Sequence, residues 1–159
     1  MTTAKVLDVT AGSRMMWFDR GDDRAVFLDQ RQEEHVLCDG RSLIIDPDVV
    51  GDFRDLPFPD ASFWHVVFDP PHLERLGPKA WTRAKYGALL SSWRDDLTEG
   101  FAECFRVLKP HGTLIFKWNE DQIPVSEILA LTTHKPLYGH RSGKASKTHW
   151  IAFMKEEKQ

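Results

Sequence analysis

The stretch KVLDVTAGS, residues 5–13, sets a pattern that the chain then repeats. Val6, Leu7 and Val9 make a short β-prone apolar run carrying an acid, Asp8, near its end. A turn of small residues, Ala11-Gly12-Ser13, follows, so the stretch reads as a buried strand and a turn. AVFLD, residues 25–29, is a second such strand and also closes on an acid. HVLCDGRSLII, residues 35–45, reads as a hairpin turning at Asp39-Gly40, a pair suited to the positive φ of tight hairpin turns. VVGDF leads into the loop RDLPFPDASF, punctuated by Pro57 and Pro59. WHVVFD, residues 64–69, is then an apolar strand stopped by Pro70-Pro71, because proline cannot donate into a ladder.

The second half alternates differently. LERLGPKAWTRAKYGALLSSW, residues 73–93, reads as a loop and a helix. In WRDDLTEGFAECFRVLKPHG, Leu97, Phe101, Cys104, Phe105 and Leu108 recur at helical spacing, which predicts an amphipathic helix stopping before Pro110 and Gly112. TLIFKWN follows as a strand and VSEILALT as a helix. PLYGH and THWIAFMK are two strands around the basic loop RSGKASK. Strands alternating with helices imply an α/β layered domain, in which ligands sit outside the carboxyl ends of the strands. Asp8, Asp29, Asp52 and Asp69 all fall at such ends, giving a rim rich in hydrogen-bond acceptors.

The chain has 159 residues, which fits one domain spanning residues 1–159. Its 42% apolar and 28% charged residues are ordinary globular proportions. A formal net charge of −3 supplies no global basic field, so any nucleic-acid contact must rest on a local patch. Cys38 and Cys104 lie far apart, fit no metal-ligand spacing, and read as plain buried thiols. His35, His65 and His111 show no zinc spacing either, and no metal is expected. The N-terminus has no signal-peptide core and the longest apolar runs are strand-length, so a cytoplasmic protein with no membrane partner is expected.

In order and spacing these segments resemble the class I S-adenosylmethionine-dependent methyltransferases, over nearly the whole chain. VLDVTAGS looks like their first motif, VFLDQR like the second, GDFRDLPFPDASF like the third and VVFDPPH like the fourth. FRVLKPHGTLIFKW is similar to their helix leading into a fifth strand. More narrowly, the chain resembles the small stand-alone enzymes of phages and bacteria. The resemblance implies a single Rossmann-like domain with a mostly parallel, doubly wound seven-stranded sheet and an antiparallel last strand. It implies S-adenosylmethionine as cofactor, held by Asp8, Ala11, Gly12, Ser13, Arg14, Asp29, Asp52 and Phe53. Small residues at Ala11 and Gly12 would let backbone amides approach the cofactor's methionine part, although a plain strand-to-helix turn would look the same. No second or third glycine follows Gly12, so Arg14 is expected to pair with the cofactor carboxylate. Asp29 would accept from both ribose hydroxyls. Asp52 and the Phe53 amide would read the adenine edge.

The segment DPPH, Asp69, Pro70, Pro71 and His72, resembles the (D/N)PP(Y/F/W) signature of enzymes that methylate exocyclic amino nitrogens. The nitrogen lone pair is delocalised into the ring. Asp69 and the Pro70 carbonyl, accepting from the NH₂ group, would favour a pyramidal nitrogen aimed at the methyl donor. The sequence departs from the signature at His72, where an aromatic stacking residue is usual; imidazole is a smaller surface that can also hydrogen-bond. Trp81, Arg83 and Lys85 in WTRAKY, and Lys117 and Asn119 in KWNE, are candidate substrate contacts; a solvated helix face would equally explain the first group. HRSGKASKTHW is a basic patch able to meet phosphate, or a charged hairpin loop kept soluble. The leading expectation is an N-methyltransferase acting on a nucleic-acid base, adenine or cytosine. Its rivals are a small-molecule methyltransferase and a noncatalytic S-adenosylmethionine-binding module. So short a chain leaves little room for target recognition, which makes a homodimer or a specificity partner part of the expectation.

Overall fold

The computed structural model describes residues 3–72 and 91–157. Its main sheet has seven strands: β1 (Val6–Asp8), β2 (Ala25–Asp29), β5 (Val49–Val50), β6 (Phe63–Phe68), β7 (Leu108–Asn119), β8 (Tyr138–Arg141) and β9 (Thr148–Met154). Their order across the sheet is β5-β2-β1-β6-β7-β9-β8. The first five are parallel, whereas β9 runs antiparallel to β7, and β8 antiparallel to β9. The hairpin at Asp39-Gly40 forms as a separate two-stranded ribbon of β3 (Glu33–Val36) and β4 (Ser42–Ile45). Gly40 there has φ of 84°, the left-handed conformation that the turn requires.

One face of the sheet carries the described helices, α1 (Trp93–Val107) and α2 (Val125–Leu129). The stripe Leu97, Phe101, Cys104 and Phe105 of α1 packs in one core with Leu7, Val66, Phe68, Leu114, Phe116, Ile151 and Phe153, alternate residues of their strands. On the opposite face the crossover from β1 to β2 is built of turns, with Trp17 and Ala11 closing over Ala25 and Phe27. The connection from β2 to β5 carries the hairpin. The chain reaches parallel pairing there without a crossover helix in either described connection. A hairpin and a loop pinned by aromatic and arginine side chains cover the strands instead.

Strand β7 begins directly after α1, five residues earlier than the apolar run TLIFKWN would place it. Gly112 allows this: a Cβ there would stand 2.8 Å from the Lys109 carbonyl oxygen and 3.0 Å from that of Trp64. Of the two cysteines, Cys104 is buried as expected. Cys38 is exposed, because the hairpin turn that contains it projects from the main sheet.

Candidate active site

Strands β1 and β6 are neighbours, yet the chain leaves β1 toward β2 on one side and β6 toward β7 on the other. Their carboxyl ends therefore diverge, and a crevice opens between them, the usual ligand position in such sheets. Two short contacts define its floor. The Asp69 N–H donates to Thr10 Oγ1 at 2.7 Å, tying the end of β6 to the turn after β1. The Thr10 N–H in turn donates to Asp8 Oδ1 at 3.1 Å. Asp8 Oδ2 accepts from Trp17 Nε1 at 2.8 Å, and the Trp17 ring sits edge-on to Phe27. Burial pushes the Asp8 carboxyl up to about 7, against the lowering effect of its Trp17 and Thr10 bonds; the nearby Asp69 and Asp29 charges push the same way as burial. Thr10 and Trp17 were not singled out from sequence. Thr10 two residues after Asp8 was the available signal, since an acid commonly bonds its own backbone two residues on.

Asp69 stands just beyond β6, opposite Lys117 of β7 in the continuing register. Lys117 Nζ lies 3.2 Å from Asp69 Oδ2 and 5.3 Å from the centre of the Trp150 ring, and Trp150 faces Lys117 from β9. Burial raises the Asp69 carboxyl and Lys117 partly offsets it. Pro70 is buried and Pro71 half-buried. His72 is half-buried with its ring edge-on to Trp118; burial, then Lys117, lowers its basicity and Asp121 opposes them. Asn119 donates to Thr148 Oγ1 at 3.1 Å and accepts from the Asp121 N–H at 2.9 Å, so it shapes the strand end. Trp81, Arg83 and Lys85 lie outside the described residues.

On the other side of the crevice, Gly12 has φ of 53° and donates its N–H to Asp29 Oδ2 at 2.8 Å, and Ala11 is buried beside it. Ser13 follows, half-buried. Asp29 Oδ1 accepts from the Arg31 N–H at 3.0 Å and Nε at 3.3 Å. Asp52 is held below its usual range by Arg54, which also reaches Asp96 of α1 at 3.0 Å. Phe53 is half-buried against Phe68. Arg14 departs from its expected role. Its guanidinium lies 3.9 Å over the Phe27 ring and donates to the carbonyls of Arg20 (2.6 Å) and Asp46 (2.8 Å), so it pins the β1–β2 crossover. The basic loop is also less free than its sequence reads. Arg141 and His149 meet Glu120, and Lys147 meets Asp121.

Solved structures share this layout. An S-adenosylmethionine-dependent methyltransferase from Methanosarcina mazei superposes with a TM-score of 0.56 at 12% identity, over 99% of this chain and 95% of its own. The N-methyltransferase NodS of Bradyrhizobium japonicum gives 0.60 at 12% identity, over 97% and 86%. The chain has the fold of the class I methyltransferases. The methyltransferase fold does not dictate one reaction: the [4+2]-cyclase SpnF also matches, with a TM-score of 0.56 at 13% identity over 98% of this chain and 75% of its own. The sequence matches no protein-family model and no curated protein. Function must therefore be argued from the crevice. Among the described residues no three of His, Cys, Asp or Glu cluster as a metal site would need, and no helix is long and apolar enough to cross a membrane.

Proposed function

We propose that this chain is an S-adenosylmethionine-dependent N-methyltransferase whose acceptor is the exocyclic amine of a nucleic-acid base, adenine or cytosine. One observation carries the reading: a largely covered carboxylate, Asp69, stands at the switch point of a methyltransferase fold, followed at once by Pro70-Pro71.

The donor set fits the cofactor. A carboxylate has about four lone-pair positions. Asp29 commits three to the Gly12 N–H and the Arg31 N–H and Nε, leaving room for one ribose hydroxyl while Arg31 stays in place. Asp52, beside the apolar Phe53, already accepts from the Arg54 N–H and guanidinium on both oxygens, so reading the adenine amino group there requires Arg54 to give way. Arg14, fully engaged elsewhere, is left out of the set. When bound, the cofactor supplies an electrophilic methyl group on a sulfonium. The chain's own part is to hold the amine. Asp69 uses Oδ2 for Lys117, and among the described residues no other donor reaches its carboxylate, so Oδ1 can accept from the NH₂ group. As the nitrogen gains the methyl group and its positive charge, it sheds one proton, which leaves through Asp69 Oδ1 to solvent. By the resemblance to the DPP signature, His72 would make an edge or face contact to the base.

A second reading, transfer to a free base, nucleotide or other small amine, is favoured by the ion pairs that occupy Arg141 and Lys147. The test is labelled S-adenosylmethionine with separate pools of DNA, RNA, nucleotides and small amines, with Asp69→Ala alongside. Label should enter a base-containing pool with the wild type. Asp69→Ala should lose at least about 100-fold in rate while binding cofactor normally by calorimetry. Near-normal turnover by Asp69→Ala would sink the exocyclic-amine mechanism. Label in nucleotides with no gain on polymers would select the second reading, and cofactor binding without transfer would select a noncatalytic module.

A further inference from the structure

Lys117, expected from sequence to touch substrate, occupies a different place. Asp69, Lys117, Trp150 and His140 stand side by side across four neighbouring strand positions, since Lys117 pairs with Trp150 and Trp150 with His140 in the ladder. The ammonium is fixed from both sides: Asp69 Oδ2 at 3.2 Å, and the Trp150 ring at 5.3 Å. Trp150 is itself held, its Nε1 donating to Ser142 Oγ at 2.8 Å on the strap between β8 and β9. A lysine stem placed between an indole and a carboxylate, three-quarters covered, is poorly placed to sweep solvent for phosphate.

We infer that Lys117 is a positioning residue that keeps the largely covered Asp69 carboxylate anionic and turns its second oxygen to the acceptor amine, with Trp150 and Ser142 bracing the ammonium. This rests on the proposed N-methyl transfer at Asp69. The physical need is plain. A covered carboxylate without a partner tends to take up a proton, and a protonated Asp69 would keep only a weaker, neutral carbonyl acceptor and could turn an O–H donor to the amine. Among the described residues no other charge takes the place of Lys117. From β1, Asp8 lies close enough for its carboxyl and that of Asp69 to interact, and a second acid of like charge cannot hold Asp69 ionised. After β6, His72 is held toward its neutral form, with Asp121 beyond it.

The experiment is residue-resolved NMR of protein carrying ¹³C-labelled aspartate carboxyls, titrated with pH in wild type, Lys117→Met and Lys117→Arg. The overlapping Asp8 signal is removed in an Asp8→Asn background. The Asp69 midpoint should rise in Lys117→Met and return in Lys117→Arg. In parallel, kcat of Lys117→Met should fall about tenfold at pH 6 and recover to within about threefold at pH 9, with acceptor KM little changed. An unmoved Asp69 midpoint would overturn the inference, as would a KM raised tenfold with an unmoved acid limb, which would make Lys117 a substrate contact. Should Lys117→Met fail to fold, Trp150→Leu, which removes only the brace, must shift the midpoint in the same direction or the inference fails. If the wild type methylates nothing while the NMR shift is present, the N-methyl-transfer reading fails and the ion-pair role stands.

Discussion

Asp8 shows how a single buried group ties stability to pH. Its carboxyl is raised from 3.8 to about 7 in the folded chain, with burial the main cause. The folded state therefore binds a proton that the unfolded state has released, over the window between those two values. Its contribution to stability is full below pH 3.8 and is lost as pH rises through about 7, with a total on the order of 4 kcal/mol for a shift of this size. Asp8→Asn cannot titrate. It loses one of the two acceptor oxygens now used by Trp17 and Thr10, a constant cost of about 1 kcal/mol. The difference in slope between the two proteins isolates Asp8. Urea unfolding at pH 5, 6, 7 and 8 should show wild-type stability falling relative to Asp8→Asn across the series; parallel curves would mean that Asp8 is ionised throughout. The sequence reading placed Asp8 on the rim, yet its burial depends on Trp17 folding back nine residues later. The place of Arg14 is set by the same kind of long-range packing. A guanidinium after a glycine is visible in the chain, but the carbonyls of Arg20 and Asp46 that capture it are brought there only by the folded crossover.

Helix α1 couples the core to the cofactor side through two residues. Gly100 sits mid-helix, where alanine would ordinarily gain about 1 kcal/mol. A Cβ at this position would stand 2.7 Å from Phe53 Cδ2 and 2.8 Å from Phe68 Cζ, and overpacking of that kind costs about 1–3 kcal/mol. Packing wins over propensity. Gly100→Ala should lower the melting temperature by a few degrees and weaken cofactor binding by displacing Phe53, read by calorimetry; a stabilised variant with unchanged affinity would show that Phe53 yields freely. Arg106, in the last turn of the helix, donates to the carbonyls of Leu56 and Phe58 and to Asp60 and Glu103, while Glu103 Oε2 accepts from the Leu56 N–H. Arg106→Met should cost about 2 kcal/mol, discounted for the residue's partial exposure, and loosen the loop that carries Asp52 and Phe53. Denaturant midpoints and cofactor affinity should therefore fall together. From sequence the helix itself was legible, since its apolar positions recur every three or four residues. The hairpin at Asp39-Gly40 and the strand stop at Pro70 were legible through local turn chemistry. The turn-built crossover from β1 to β2 was not, nor was the Lys117–Asp69 pair, because each depends on which strands become neighbours across dozens of residues.

Across the whole molecule the charge distribution constrains how a nucleic acid could bind. The net charge is −3, and the loop that looked like a phosphate patch has its Arg141 and Lys147 paired with Glu120 and Asp121. Each exposed pair contributes little to stability, about 0–1 kcal/mol, but it neutralises a cation that would otherwise displace counterions from a polynucleotide. Lys144, exposed in the same loop, adds one positive charge near the carboxyl end of β9's partner strand. If a polymer is the substrate, contact should rest on about one or two phosphates, and single-strand affinity then falls by less than about tenfold between 50 and 200 mM salt. The measurement is acceptor KM against salt, with free nucleotide as the control. A drop of several hundredfold would reveal a broad basic track and restore the loop to a phosphate-binding role. Glu120→Gln with Asp121→Asn gives the complementary check. Releasing Arg141 and Lys147 should steepen the salt dependence and tighten polymer binding, while transfer to a free nucleotide changes far less, because neither acid bonds Asp69 and Asp121 reaches the site only through its charge on His72.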